Sequence, residues 1–405
     1  MTTLQQYGSP YNRADEAATT PAPSRRVEIH DLTLEGDGEE MAGLRFSHKD
    51  RIEIAKLLDA AGIHRISVLG NSPRPTRDEV KSAAAIASLG LKARVGALVK
   101  TVEEIDTSAR IGLWGVTILV GINDAVLTGG QKGQDIIDQC KKLTVHAREH
   151  GLHTCLMAMD ATRTRPPFLE RVIRELDPFV DEFVIGDSLG RISPFGMRNL
   201  ISQVLQWTAK PLQIHPHNHT SMAVANCLGA VLGGASIVQT VVNGLGEFSG
   251  IAATEECVVA LEMHAGLALG IDRLRLQDLS RLVAKASGLP IPANKPVTGR
   301  LAFAIPETEE IQEALYQLHR EGRLEDGLPL PPELVGAVPS MSIGRKCNAF
   351  TVLYNLEIAG IEVSRELAEQ IAGKVRAHFK NRRGHFLIDQ SEFLELAREW
   401  VAGRS

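Results

Sequence analysis

The nine residues Leu212–Thr220, LQIHPHNHT, carry the clearest chemical signal in this 405-residue chain. An extended backbone sends alternate side chains to one face, so His215 and His217 share a side at the end of a short apolar run. Imidazole is a common ligand for borderline divalent metals, and the same pair in a loop is otherwise an ordinary hydrogen-bonding group. His219 continues the alternation. Carboxylates able to complete such a site crowd Asp31–Glu40 (DLTLEGDGEE), where Asp31, Glu35, Asp37, Glu39 and Glu40 stand close in sequence. Other polar groups follow other apolar runs: Asp160, Thr162, Arg163 and Arg165; Asp187 and Ser188; Asn243 and Glu247.

Whether these groups meet depends on the elements between them. Apolar, β-branched runs occur at Val27–Leu34, Arg65–Leu69, Ala93–Val99, Gly115–Val120, His153–Met159, Glu182–Gly186, Leu212–His215 and Ser236–Val241. Helical patterns separate them, at Ser47–Ala61, Arg77–Leu89, Val102–Ile111, Gln134–His150, Pro167–Leu176, Pro194–Thr208, Ser221–Leu232 and Thr254–Leu269. Ser47 and Asp50 have capping-box spacing, Pro194 follows Ser193 as N1 follows an N-cap, and Gly62, Gly90, Gly151 and Gly270 stand where helices end. Strict alternation of strand and helix implies parallel strands with right-handed crossovers, and eight units suit a (β/α)8 barrel. A doubly wound open sheet is the alternative, with Leu34–Glu40 as a loose imitation of its glycine-rich first turn.

Outside that block the texture differs. Residues 1–25 are rich in Thr, Pro, Ala and Ser and read as a disordered or arm-like tail. After Gly270, Leu289–Pro296 and Leu328–Pro332 are proline-punctuated linkers. Helices are expected at Leu301–Glu321, Ala349–Ala359, Val363–His378 and Gln390–Val401. The expected domains are the tail 1–25, a catalytic barrel 26–285, a linker subdomain 286–345 and a small helical region 346–405.

A net charge of −5 gives no electrostatic case for nucleic acid or an anionic membrane, and no apolar run is long enough to span a bilayer. Five scattered cysteines without CxxC spacing fit a reducing cytoplasm and small core fillers rather than a disulfide framework. Residues 129–133 (GGQKG) have a phosphate-cradle composition, although a glycine loop before a helix is the commoner explanation. Lys380–Arg383 reads as a solvated face.

In a parallel barrel, functional groups sit on loops after the strands' C-terminal ends. Strands 1, 7 and 8 become neighbours on closure, which brings the carboxylate cluster and the histidine pair to one rim. The chain resembles the metal-dependent barrel family of 2-isopropylmalate synthase, homocitrate synthase and 3-hydroxy-3-methylglutaryl-CoA lyase. The resemblance lies in Asp31–Glu40, Asp160–Thr164 (DATRT), Gly186–Gly190 (GDSLG), His215–Asn218 (HPHN), Val242–Gly250 (VNGLGEFSG), Asn294–Pro296 and Gly344–Arg345. It runs from Val27 to the C-terminus, and the part beyond the barrel resembles the synthase branch.

The resemblance implies a divalent metal (Mg, Mn or Zn) on Asp37, His215 and His217, chelating a 2-oxo acid. The family's segment is one residue shorter, which makes Glu35 a rival ligand. Acetyl-CoA is the implied co-substrate and a homodimer the implied assembly. Asp160, Arg163, His219 and Glu247 are candidate catalytic groups; Asp31, Arg165, Asp187, Ser188 and Asn243 are candidate substrate contacts. Each has a plainer reading: Asp31 as a backbone anchor, Asp187 and Ser188 as a turn, Arg163 as a partner for Asp160, Asn243 as a loop fastener.

The departures are specific. The family's enolate-stabilising arginine falls near Glu35 and Gly36, its strand-8 asparagine on Ile251, the arginine of that motif on Phe248, and the glutamate of its SxED segment on Met159. Its histidine after NKP has no counterpart in Leu301–Glu307. The expected activity is condensation of an acyl-CoA with a 2-oxo acid to a 2-alkylmalate- or homocitrate-like product. The alternatives are a metal-dependent aldolase or lyase and a non-catalytic ligand-binding paralogue.

Overall fold

The computed structural model describes Leu4 and residues 26–70, 75–122, 133–380 and 387–402, without the side chains of Asp37, Val401 and Ala402. The N-terminal tail except Leu4, the glycine loop before Gly133 and the basic residues 381–383 lie outside the described residues.

Eight parallel strands close into a barrel in chain order: β1 (Glu28–Asp31), β2 (Arg65–Leu69), β3 (Arg94–Val99), β4 (Gly115–Gly121), β5 (His153–Met159), β6 (Glu182–Asp187), β7 (Leu212–Pro216) and β8 (Ile237–Thr240). β1 pairs with β8, His30 opposite Gln239 and Asp31 opposite Thr240, which closes the ring. The expected (β/α)8 architecture is therefore present and the open sheet is excluded. Every residue of β2, β6, β7 and β8 is buried, as expected of strands covered on both faces.

The helices are α1 (Gly36–Glu39), α2 (His48–Ala60), α3 (Arg77–Ala87), α4 (Val102–Arg110), α5 (Gly133–Glu149), α6 (Pro166–Leu176), α7 (Pro194–Val204), α8 (Ala223–Leu232), α9 (Thr254–His264) and α10 (Leu276–Ser287). Local chemistry starts and stops them. Ser47 and Asp50 form the expected capping box, and Thr76–Glu79 and Thr101–Glu104 form two more. Ser193 caps α7 with Pro194 at N1. Gly62, Gly90 and Gly151 take positive φ just past α2, α3 and α5. The expected helix Thr254–Leu269 stops at His264; Gly266 is left-handed, and beyond it comes α10, a helix the sequence reading did not expect.

One compact unit runs from Met1 to Ile291 and a second from Pro292 to Ser405. The second carries a parallel two-residue pair, β9 (Ala304–Ile305) with β10 (Ser340–Met341), and helices α11 (Glu309–Arg320), α12 (Ala349–Glu357), α13 (Arg365–His378) and α14 (Gln390–Ala402). The expected helix Leu301–Glu321 is corrected to α11 alone. Pro306 interrupts the pattern, and the residues before it form β9. Within this unit Gln312 bonds both Asn348 and Thr351, so α11 and α12 share one packing. All five cysteines are buried and free. Among the described residues, no helix is long and apolar enough to cross a membrane.

The N-terminal end of the barrel is plugged by charge rather than hydrocarbon. Arg65 donates to Glu182 through both terminal nitrogens, at 2.6 and 2.9 Å, and to Glu28 at 2.8 Å. Trp114 stacks on His153, with Arg65 and Arg94 over its ring. Burial alone would raise the Glu182 pKa, but His153 and the Arg65 guanidinium hold it well below the usual carboxylate range.

Candidate functional site

At the opposite, C-terminal end, β7 delivers the histidines. His215 and His217 are buried, and their Nε2 atoms stand 3.2 Å apart. Burial, with His215 and His219 beside it, pushes the His217 pKa down to about 2, so this ring is neutral. Its other nitrogen, Nδ1, has no hydrogen-bond partner among the described residues and faces Glu247 Oε1 at 3.7 Å. His219 tilts toward His217 with ring centroids 5.0 Å apart, and both of its ring nitrogens are buried and without a partner among the described residues. One nitrogen from each of His217 and His219 and a Glu247 oxygen come within 4.8 Å of one another, a spacing able to hold a cation. The rings of His215, His217 and His219 stand next to one another at this rim.

His215 is oriented from behind. Its Nδ1 meets Gln239 Oε1 at 2.9 Å, and Gln239 Nε2 donates to Gln213 Oε1 at 2.9 Å. Neither glutamine stood out in the sequence, although Gln213 lies two residues before His215 on the same strand face, inside an otherwise apolar run.

Of the carboxylates after β1, Asp31 and Glu39 are drawn to different partners. Asp31 is wholly buried, accepting from the Thr33 backbone N–H at 2.9 Å and the Thr254 hydroxyl at 2.7 Å. Glu39 turns to the buried Arg51 and to Phe46 N. Arg51 also donates to the carbonyls of Leu34 and Val68 at 3.0 and 3.3 Å, fixing the segment from outside. Glu35 is buried at the N-cap of α1, while Asp37, in the middle of that single turn, has its side chain outside the described residues. Gly38 makes the turn possible, since a Cβ there would lie 2.1 Å from Thr33 O.

After β5 the chain enters a 3-10 turn, Ala161–Arg163, through Asp160 in the left-handed region at φ 61°. Asp160 holds Arg163 by two hydrogen bonds, one of 3.0 Å, and its backbone N–H donates to Ser188 Oγ at 3.0 Å. The plainer reading of Arg163 as the partner of Asp160 is thus realised, with the exposed guanidinium on the rim. Arg165 is also exposed. Asp187 is wholly buried; its Oδ1 accepts from Thr162 at 2.8 Å, its Oδ2 has no partner among the described residues, and burial raises its pKa. The Asp187 carbonyl accepts from His217 N at 3.3 Å, which joins the rims of β6 and β7.

Asn243, at φ 64°, is occupied elsewhere: its amide donates to Ser280 O at 2.9 Å, and its carbonyl oxygen accepts from the Ser280 hydroxyl. It fastens the loop after β8 to α10 and is turned from the histidines. That loop then returns to β7, with Ile251 bridging to His217 and Asn218 N donating to Gly250 O at 2.8 Å. Gly250 is required at the crossing, because its φ is +76° and a Cβ would lie 1.8 Å from Gly244 O. Phe248 is 83% exposed and packs edge-on against His219.

The HMGL-like family model matches residues 26–283, the whole barrel and α9–α10. The chain is similar to homocitrate synthase AksA of Methanothermobacter thermautotrophicus, at 31% identity over 395 residues, 96% of each chain. It is also similar to a probable 2-isopropylmalate synthase of Archaeoglobus fulgidus, at 31% identity over 86% of this chain and 69% of that one. Among solved structures, the HMG-CoA lyase of Bacillus subtilis superposes with a TM-score of 0.61 at 19% identity, covering 67% of this chain and 97% of its own, a likeness of fold. With a barrel of this topology and a match across all of it, the chain belongs to the HMGL-like family.

Proposed function

We propose that this protein is a divalent-metal-dependent condensing enzyme that joins acetyl-CoA to a 2-oxo acid and releases a 2-alkylmalate- or homocitrate-like acid. The observation that carries the reading is the 3.2 Å separation of His215 Nε2 and His217 Nε2. Nitrogens bound about 2.1 Å from one ion stand roughly 3.0–3.4 Å apart at ordinary coordination angles. The donor set fits, since His217 is neutral and its far nitrogen faces a carboxylate, as in many metal-bound imidazoles. His215, His217 and Asp37, with Glu35 as its rival, would hold the ion, which when bound would polarise the ketone of the oxo acid.

The remaining steps fall to side chains on the rim. Arg163, set by Asp160, receives the substrate carboxylate together with Arg165 and Ser188. His219 takes a proton from the acyl carbon of the thioester; that carbon bonds to the ketone carbon, and the new alkoxide is protonated. Water then cleaves the thioester, leaving a carboxylate and a free thiol. Glu247 orients His217, while Asp31, Asp187 and Asn243 hold the loops. The relatives support the synthase direction, because the similarity to the homocitrate synthase extends through the second unit.

The test is thiol release from acetyl-CoA over a panel of 2-oxo acids with Mg, Mn or Zn supplied. Release with at least one acid, abolished by His217→Ala, supports the reading. A 2-oxo acid appearing from a hydroxy acid alone would make the protein a lyase, and silence in both assays would make it a non-catalytic binder.

A further inference from the structure

A chain of directional hydrogen bonds runs up the barrel interior from the charged plug to the histidine rim. Glu182, ionised and bound by Arg65, can only accept. It accepts from Gln213 Nε2 at 2.7 Å, which settles the Gln213 amide orientation, because the flipped amide would press its oxygen against a carboxylate. Gln213 Oε1 is therefore an acceptor, and it receives Gln239 Nε2 at 2.9 Å and His30 Nδ1 at 3.1 Å. Gln239 is oriented in turn, so its Oε1 faces His215 Nδ1 at 2.9 Å as an acceptor. His215 must then carry a proton on Nδ1, which leaves Nε2 as the nitrogen able to offer a lone pair. All four side chains are buried. The polarity is set three hydrogen bonds away from the ring it controls.

We propose that Gln239 is a positioning residue which, held by Gln213 and Glu182, locks His215 in the tautomer whose Nε2 lone pair is offered to a divalent cation. The step from tautomer to cation rests on the metal-site reading above; the tautomer itself does not. Metal-bound histidines commonly have their second nitrogen fixed by an acceptor, and losing that partner weakens binding about 10–100-fold. Here the acceptor is an amide whose own direction is fixed by a carboxylate two residues further down the chain of contacts.

The experiment uses full-length protein with 15N-labelled histidine, stripped of metal, with the His215 ring signals assigned by their loss in His215→Gln. Long-range nitrogen–proton spectra should show Nδ1 protonated and Nε2 bare. Gln239→Leu should mix the two tautomers and weaken Mn2+ or Zn2+ affinity, read by titration calorimetry with the metal alone, about 10–100-fold. Gln239→Glu keeps an acceptor toward Nδ1 but loses the donor to Gln213 Oε1, so it should recover the tautomer and the affinity only in part, and more than Gln239→Leu. A proton found on Nε2 in the unaltered protein, or a tautomer indifferent to Gln239→Leu, overturns the proposal. Should the unaltered protein bind neither metal, the metal-site reading and the cation half of this proposal fall together, and the spectra alone then decide the lock.

Discussion

His30 and Asp31 are adjacent on β1, face opposite sides of the barrel wall, and respond to pH in opposite senses. His30 reaches Gln213 inside the barrel, and Asp31 reaches Thr254 at the start of α9. Burial, aided by Arg65, pushes His30 down to about 4. Burial, against hydrogen bonds from Thr254 and Thr33, pushes Asp31 up to about 6. The unfolded chain binds the His30 proton more readily, so stability from His30 is present above its ordinary pKa and lost as pH falls toward 4. The folded chain binds the Asp31 proton more readily, so stability from Asp31 is present below its ordinary pKa and lost as pH rises through 6. Each shift corresponds to about 3 kcal/mol, and the two nearly cancel between pH 4 and 6. Urea midpoints across that range should fall on acidification in Asp31→Asn and rise in His30→Gln, each relative to the unaltered protein. Parallel curves for the three proteins would refute the pairing.

Arg65→Met should cost about 3–5 kcal/mol, because it leaves Glu182 buried without its two-point partner. Adding Glu182→Gln should return part of that loss, since the neutral amide no longer needs a cation. Denaturant unfolding of the two single variants and the double variant measures the coupling. Simple additivity would show that the pair does not interact.

Gly38→Ala should disturb the turn after β1 more than the fold. The new methyl collides with Thr33 O, an overpacking worth about 1–3 kcal/mol. The prediction is a modest fall in melting temperature and a large loss of divalent-cation affinity, because Asp37 and Glu35 ride on that turn. Unchanged metal affinity in a folded variant would remove this segment from the site.

His215→Ala and His217→Ala should each reduce binding of Mn2+ or Zn2+ below detection while leaving the circular dichroism spectrum in place. Metal content of the purified proteins checks this directly. If either variant retains stoichiometric metal, the ion sits elsewhere.

The barrel was legible in the sequence because its signal is repeated: eight apolar runs, each followed by a helical pattern, most of these with a cap or a terminal glycine. β2 and β5 fall on the expected boundaries, and the others shift by a few residues at one or both ends. The histidine cluster was legible for the same reason, since alternation fixes which side chains share a face. The carboxylates were less so. Proximity in sequence suggested one cluster after β1, but Asp31 and Glu39 are drawn in different directions by Thr254 and Arg51, partners distant in the chain or on another element. Gln213 and Gln239 were passed over because a lone amide in an apolar strand carries no motif. Its meaning appears only when the neighbouring strand supplies the complementary atom.

The loop after β8 folds back to pair its backbone with His217. Main-chain bonds therefore hold that imidazole's place, and they are indifferent to which side chains the loop carries. Phe248, exposed on that loop, can be exchanged while the scaffold beneath it stays put. A lineage could thus retune which substrate it accepts by drifting in a handful of codons, without rebuilding the pole around which the chemistry turns.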